Sequence, residues 1–218
     1  MKANDIHQIV PILRQEVKKW KTPAVTIVAD DSSNPFYVLV SCLLSLRTKD
    51  ETTAVAFRRL NERVREPQDI LDIPVDEIAQ IIYPVGFYNK KAKQLHAIAK
   101  ALIEAFDGKT PDTIEELLTL KGVGRKTANL VVTRGHNKPG ICVDTHVHRI
   151  SNRWGYIKTK TPDQSEFALR EKLPPQYWIE INDLMVAFGQ NLCAPISPKC
   201  SQCKLTEFCD KNGVKKHR

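Results

Sequence analysis

At 218 residues the chain can bury a full core, as one large domain or two small ones, and 42% apolar with 27% charged residues is ordinary for a globular protein. The charge is lopsided, 33 Lys+Arg against 25 Asp+Glu for a formal +8, which favours an acidic polymer as partner. No stretch approaches the ~18 uninterrupted apolar residues of a membrane span, and Met1-Lys2-Ala3-Asn4-Asp5 leads into an amphipathic pattern and not a secretory signal, so a reducing compartment is expected.

Helical signals dominate the chain. Asp5 can cap a segment whose apolar positions Ile6, Ile9, Val10, Leu13, Val17 and Trp20 share one face, with Pro11 predicting a kink or a late start. Two short runs look β-like, Val25-Thr26-Ile27-Val28 and Ile141-Cys142-Val143, and neither is long enough to define a sheet. Ser33-Asn34-Pro35 opens a helix over 36–46 that is apolar nearly all round, as a central helix of a bundle would be. Asp50 begins the next, with Ala54, Val55, Phe57, Leu60 and Val64 as its apolar positions and Pro67 after its end. Further helices are predicted over 75–82, 89–106 (closed by Asp107-Gly108), 114–120, 126–134, 147–154, 163–173 and 175–190. The fold class is all-α.

The run Leu120-Lys121-Gly122-Val123-Gly124-Arg125-Lys126-Thr127-Ala128 reads as a helix-hairpin-helix. Its glycines permit backbone conformations that a Cβ obstructs and allow close approach to another backbone. Turn amides and the positive end of the second helix converge on a point that favours an anionic oxygen, with Lys121 and Arg125 adding charge. The plainer account is a tight turn between two packed helices, and a bare Gly-x-Gly does not decide between them. Lys126 sits in the first turn of the second helix beside Arg125, and both effects disfavour its ammonium form. A neutral amine there can attack the anomeric carbon of a deoxyribose, although a phosphate-contacting cation explains the spacing at least as well. Asp144 follows 18 residues later in Val143-Asp144-Thr145-His146-Val147-His148-Arg149, where its ordinary role is a helix N-cap. A carboxylate kept beside a basic hairpin suggests a chemical role, either stabilising positive charge on the sugar or moving a proton.

Cys42 and Cys142 stand alone in apolar runs and read as buried thiols. The other four form Cys193-x6-Cys200-x2-Cys203-x5-Cys209 and call for a metal in a reducing compartment. Structural zinc usually pairs two short Cys-x2-Cys-type gaps and here only one gap is short, so a four-iron cluster suits the spacing better. The loop carrying Pro195 and Pro198, bordered by Lys199 and Lys204, could rest on DNA phosphates.

Taken together, the hairpin string, the Val-Asp-Thr-His-Val-His-Arg string and the four-cysteine spacing resemble the endonuclease III family of DNA glycosylases, within the helix-hairpin-helix superfamily marked by a Gly/Pro-rich loop and a catalytic Asp. The resemblance extends to 43–50 and to Val85-Gly86-Phe87-Tyr88-Asn89. It implies a six-helix barrel domain over 29–138 with the hairpin at about 114–134, and a discontinuous cluster domain from 1–28 and 139–218, with the active site in the cleft between them. By the same resemblance Lys126 is the Schiff-base lysine, Asp144 the catalytic aspartate, and Cys193, Cys200, Cys203 and Cys209 the ligands of a [4Fe–4S] cluster. Gly122, Val123, Gly124, Arg125, Lys121, Thr145 and His146 would contact DNA.

Two positions depart from the commonest pattern. Arg47 stands where bacterial members usually carry a glutamine that fills the gap left by the flipped nucleotide, and an arginine there can also donate to a guanine edge. Phe87 stands where a wedge residue, often leucine, enters the base stack. For these two the plainer accounts are a surface arginine and a core phenylalanine.

The activity implied is a bifunctional DNA glycosylase/AP lyase for oxidised pyrimidines, acting as a monomer on damaged or abasic double-stranded DNA, in a prokaryotic cytoplasm at the nucleoid and with no membrane partner. A monofunctional glycosylase for thymine opposite guanine is the nearest rival. An adenine-specific relative would normally carry a further domain, and this sequence ends nine residues after Cys209. A non-catalytic hairpin module would leave Asp144 unexplained, and an iron–sulfur electron carrier would leave the hairpin unexplained.

Overall fold

Asn34 and Pro35 start the helix on which much of the structure is built. In the computed structural model, which describes residues 1–20 and 34–218, the Asn34 side chain accepts the Phe36 amide at 3.0 Å and Pro35 occupies the first turn. The expected strand-like run at 25–28 and Ser33 lie outside the described residues. Among the described residues there is no strand, and 141–143 is buried chain without regular secondary structure.

The described residues divide between two compact units, Met1–Pro23 with Pro139–Arg218, and Ala24–Lys138. Within the second, α2 (Pro35–Ser45) buries eight of its eleven residues and touches α3 (Asp50–Asn61), α6 (Tyr88–Phe106) and α8 (Arg125–Leu130). That all-round burial matches its all-round apolarity. α4 (Pro67–Asp72) and α5 (Val75–Ile82) pack on α6, and α7 (Ile114–Thr119) packs on α8. α8 continues as a π-helical turn, Val131–Gly135, which also lies on α2.

Several expectations shift by a turn or less. Val55 is 50% exposed, because Thr53, Ala56 and Leu60 form the inward face of α3. Pro67 does more than follow a helix: it starts α4, whose Asp69 carboxylate accepts the Arg65 and Glu66 amides at 2.7 and 3.1 Å.

In the first unit α1 (Ile6–Val17) runs through Pro11 without ending, losing one internal hydrogen bond. Asp5 caps the short 3₁₀ turn before it, not α1: its carboxylate accepts the Lys2 amide at 2.7 Å. α9 (Thr145–Arg153) and α1 pack on α11 (Ile181–Asn191), and α10 (Pro162–Lys172) packs on α9, around buried Trp154, Tyr156 and Phe188. The single helix expected over 175–190 is two elements, a 3₁₀ turn Pro175–Tyr177 and then α11. The Trp178 indole donates to the Leu173 carbonyl at 2.7 Å and holds the bend between them. Among the described residues no helix is long and apolar enough to cross a membrane.

Candidate functional site

The hairpin of the Ala24–Lys138 unit is built from its two glycines in different ways. Gly122 has φ +83°, a left-handed conformation that side chains resist, and a Cβ there would overlap the Gln94 amide, which donates to the Lys121 carbonyl at 3.3 Å. Gly124 has an ordinary extended backbone, and a Cβ on it would meet nothing within 4 Å. The chain's own packing therefore explains Gly122 and leaves Gly124 facing open space. Between them the Val123 amide donates to Leu120 at 3.0 Å, closing the turn, and the Val123 side chain is buried, so only its backbone is available to a ligand.

Gly124 is the N-cap of α8, and no side chain caps the helix. Lys126 is its second residue and is exposed, with Lys121 exposed and Arg125 half-buried nearby. Thr127, Ala128, Asn129 and Leu130 are buried and fix the helix to the core. Cys42 of α2 is buried behind this helix: burial pushes its thiol up to about 12, and the charge of Lys126 only partly offsets that. It is the inert buried thiol its sequence context predicts.

Arg47 and Phe87 lie in the same unit and both are exposed, Phe87 at 55%. Phe87 is thus no core residue. The two come together, with the Arg47 guanidinium 5.6 Å from the Phe87 ring centroid. Both have left-handed backbones, φ +54° and +59°. Such conformations are costly for large side chains and point to tight constraint by their surroundings.

In the other unit, Asp144 is the N-cap of α9. Its Oδ1 accepts the His146 and Val147 amides at 2.8 and 2.9 Å, and Oδ2 takes no part in the cap. The carboxylate is 9% exposed; Thr145 beside it is exposed and His146 half-buried. α9 also carries two arginines, four residues apart: Arg149, which ends the motif string without an assigned role there, and Arg153, which lies outside it. Arg149 donates to the Cys193 carbonyl at 3.0 Å and shares a 3.0 Å contact with His146 Nδ1. Arg153 donates to the Ala194 and Pro195 carbonyls at 2.7 Å each and lies 3.4 Å from Cys193 Sγ. Their i, i+4 spacing on one face was the available signal. One short helix thus holds both the aspartate and the start of the cysteine loop.

Cys193, Cys200, Cys203 and Cys209 all line one pocket, with Arg153, Trp154, Phe188 and Leu192 among its walls. None is in a disulfide. Burial, then the other sulfurs, raises the Cys203 thiol to about 11, and burial likewise raises Cys209. Among the described residues no three His, Cys, Asp or Glu side chains converge on a single-ion position. Lys204, expected on phosphate, pairs with Glu16 at 2.9 Å.

Residues 40–175 match the family model of the HhH-GPD superfamily base excision DNA repair protein. The chain is 46% identical to endonuclease III of Thermotoga maritima over 178 residues, 82% of this chain and 84% of that protein. It is similar to a structure of a non-covalent endonuclease III–DNA complex, with a TM-score of 0.85 and 31% identity over 97% of this chain and 96% of that one. A structure of a trapped endonuclease III–DNA covalent intermediate, an estranged-adenine complex, matches with a TM-score of 0.84 and 30% identity, covering 97% of each chain.

Proposed function

The chain belongs to the HhH-GPD superfamily of base excision DNA repair proteins, among the endonuclease III homologues, and on that premise we propose that it is a bifunctional DNA glycosylase and AP lyase for oxidised pyrimidines. The observation that carries the reading is Lys126, exposed in the first turn of the uncapped helix that follows the Gly122 turn. An amine there can reach a bound sugar, and the open space over Gly124 leaves room for a phosphate to meet the backbone.

The damaged nucleotide leaves the stack, with Arg47 filling the gap and Phe87 wedging the neighbouring step. The Lys126 amine attacks C1′, forming a C–N bond as the glycosidic bond breaks and the base leaves with its electron pair and a proton from the attacking nitrogen. Asp144 offsets positive charge on the sugar through this step. The C1′–O4′ bond of the adduct then breaks, O4′ taking the electron pair and a proton from water, and the resulting iminium acidifies C2′–H. Loss of that proton expels the 3′ phosphate by β-elimination, and water then releases Lys126 from the unsaturated sugar. Lys121, Gly122, the Val123 backbone, Gly124, Arg125, Thr145 and His146 are assigned to DNA.

The four cysteines would hold a [4Fe–4S] cluster, supported by the pocket they share and by their spacing in the sequence. When bound, it braces the 193–209 segment. We assign 29–138 to the hairpin-bearing barrel and 1–28 with 139–218 to the cluster domain. The break between compact units at Lys138 and Pro139 supports that division. We assign the chain to monomeric action at chromosomal DNA in a prokaryotic cytoplasm.

A duplex with one thymine glycol tests the reading. Base release and strand cutting should proceed together in wild type, and Lys126→Gln should lose the cutting. Base release by wild type without cutting would reduce the protein to a monofunctional glycosylase, and neither would reduce it to a binding module.

A further inference from the structure

Lys91 is the one lysine among the described residues that the fold buries, at 5% exposure in the second turn of α6. Lysine normally keeps its ammonium in water while its stem packs, so a buried one needs its three N–H groups satisfied. Here they are: Nζ lies 2.7 Å from the Leu44 carbonyl, 2.6 Å from the Leu46 carbonyl and 3.2 Å from Thr48 Oγ1. The two carbonyls belong to the C-terminal end of α2, where a cation is favoured.

The Thr48 hydroxyl carries the connection further. It accepts the Gly86 amide at 3.1 Å, in the loop that ends at Phe87. At Gly86 a Cβ would overlap the Arg47 carbonyl, so the two loops run in direct contact. Lys91 therefore links, through Thr48, the segments that carry the two exposed left-handed residues, Arg47 and Phe87.

We propose that Lys91 is a positioning residue for lesion recognition: its buried ammonium locks the 46–48 and 85–87 loops together and so fixes Arg47 and Phe87 for insertion into the duplex. The inference rests on the assignment of those two residues to DNA. Burial depresses the Lys91 ammonium to about 8, so the charge is held at a cost that an apolar residue of the same length would avoid. A plain cap for α2 would account for two of the three contacts. It would not account for the Thr48–Gly86 bridge or for two left-handed residues meeting at its end.

The test uses the full chain in its metal-loaded form and compares kcat/KM for thymine glycol opposite guanine and opposite adenine. Arg47→Ala should shift that ratio by roughly tenfold, the size of a lost base-edge contact. Lys91→Met, which keeps the stem and removes the ammonium, should shift the ratio in the same direction by about half that factor or more. Added to Arg47→Ala it should shift the ratio no further, as expected for two residues acting through one device. A Lys91→Met protein that melts earlier but keeps the wild-type ratio would make Lys91 a cap only, and additive effects would overturn the inference equally. If Lys91→Met does not fold, Thr48→Val removes the bridge at nearly constant volume and is held to the same two outcomes. A ratio unmoved by Arg47→Ala sinks the DNA assignment of Arg47 and this inference with it. A ratio moved by Arg47→Ala and by neither other variant sinks this inference alone.

Discussion

One oxygen of Asp144 caps α9 through the His146 and Val147 amides, so the structural and chemical duties of this side chain rest on different properties. Asparagine keeps an oxygen for the cap and removes the charge; alanine removes both. Asp144→Asn should melt close to wild type and lose base release by roughly 100-fold, the scale of one positioned acid–base group. Asp144→Ala should also lose about 1 kcal/mol of stability in a denaturant titration. An Asp144→Asn protein with wild-type base release would leave the aspartate a cap and nothing more. At this scale the sequence was readable where a residue's placement depends on its immediate neighbours. Lys126 follows the Gly-x-Gly turn, and Asp144 precedes an apolar helical pattern. The partners of Lys91, Arg149 and Arg153 were not readable, because they are carbonyl oxygens of segments elsewhere in the chain, and a carbonyl looks the same on every residue.

The hairpin is the element on which the proposed chemistry depends, and its glycines make opposite predictions. Gly122→Ala must bear a left-handed backbone and displace Gln94, so it should cost about 1 kcal/mol or more in thermal or denaturant unfolding. Gly124→Ala meets nothing in the folded chain and should leave stability within about 0.5 kcal/mol of wild type. Its effect should fall on binding to an abasic-site duplex, measured by fluorescence anisotropy, because the added methyl occupies the space assigned to phosphate. Unchanged binding by Gly124→Ala would move the phosphate away from this turn. Element positions were largely legible, from Asn34-Pro35 at the start of α2 to Gly108 beyond the end of α6. The two misses have different causes. α4 is only six residues long, too short to show a period, and the break before α11 is set by the Trp178 indole reaching the Leu173 carbonyl.

At the scale of the whole molecule, Glu16 joins α1 to the cysteine segment by pairing with Lys19 at 2.8 Å and Lys204 at 2.9 Å. Those hydrogen bonds, to Lys19 first and then Lys204, hold its carboxyl below the ordinary 4.5 despite burial. A carboxyl depressed in the folded state stabilises it above the unfolded value, and that contribution is lost as pH falls through the folded one. Wild type should therefore melt above Glu16→Gln at pH 7, and the gap should close progressively below pH 4.5. A gap that does not depend on pH would mean that the pair contributes no net charge interaction. Metal content bears on the same region: protein purified without oxygen should carry four irons and the visible absorption of an iron–sulfur cluster, and a colourless zinc form would reverse that assignment. The central claim remains the covalent one. Wild-type protein mixed with abasic-site duplex and borohydride should yield a stable protein–DNA adduct, which proteolysis and mass spectrometry place on Lys126, and Lys126→Gln should yield none. An adduct on another residue, or strand cutting by wild type without any adduct, would contradict the account.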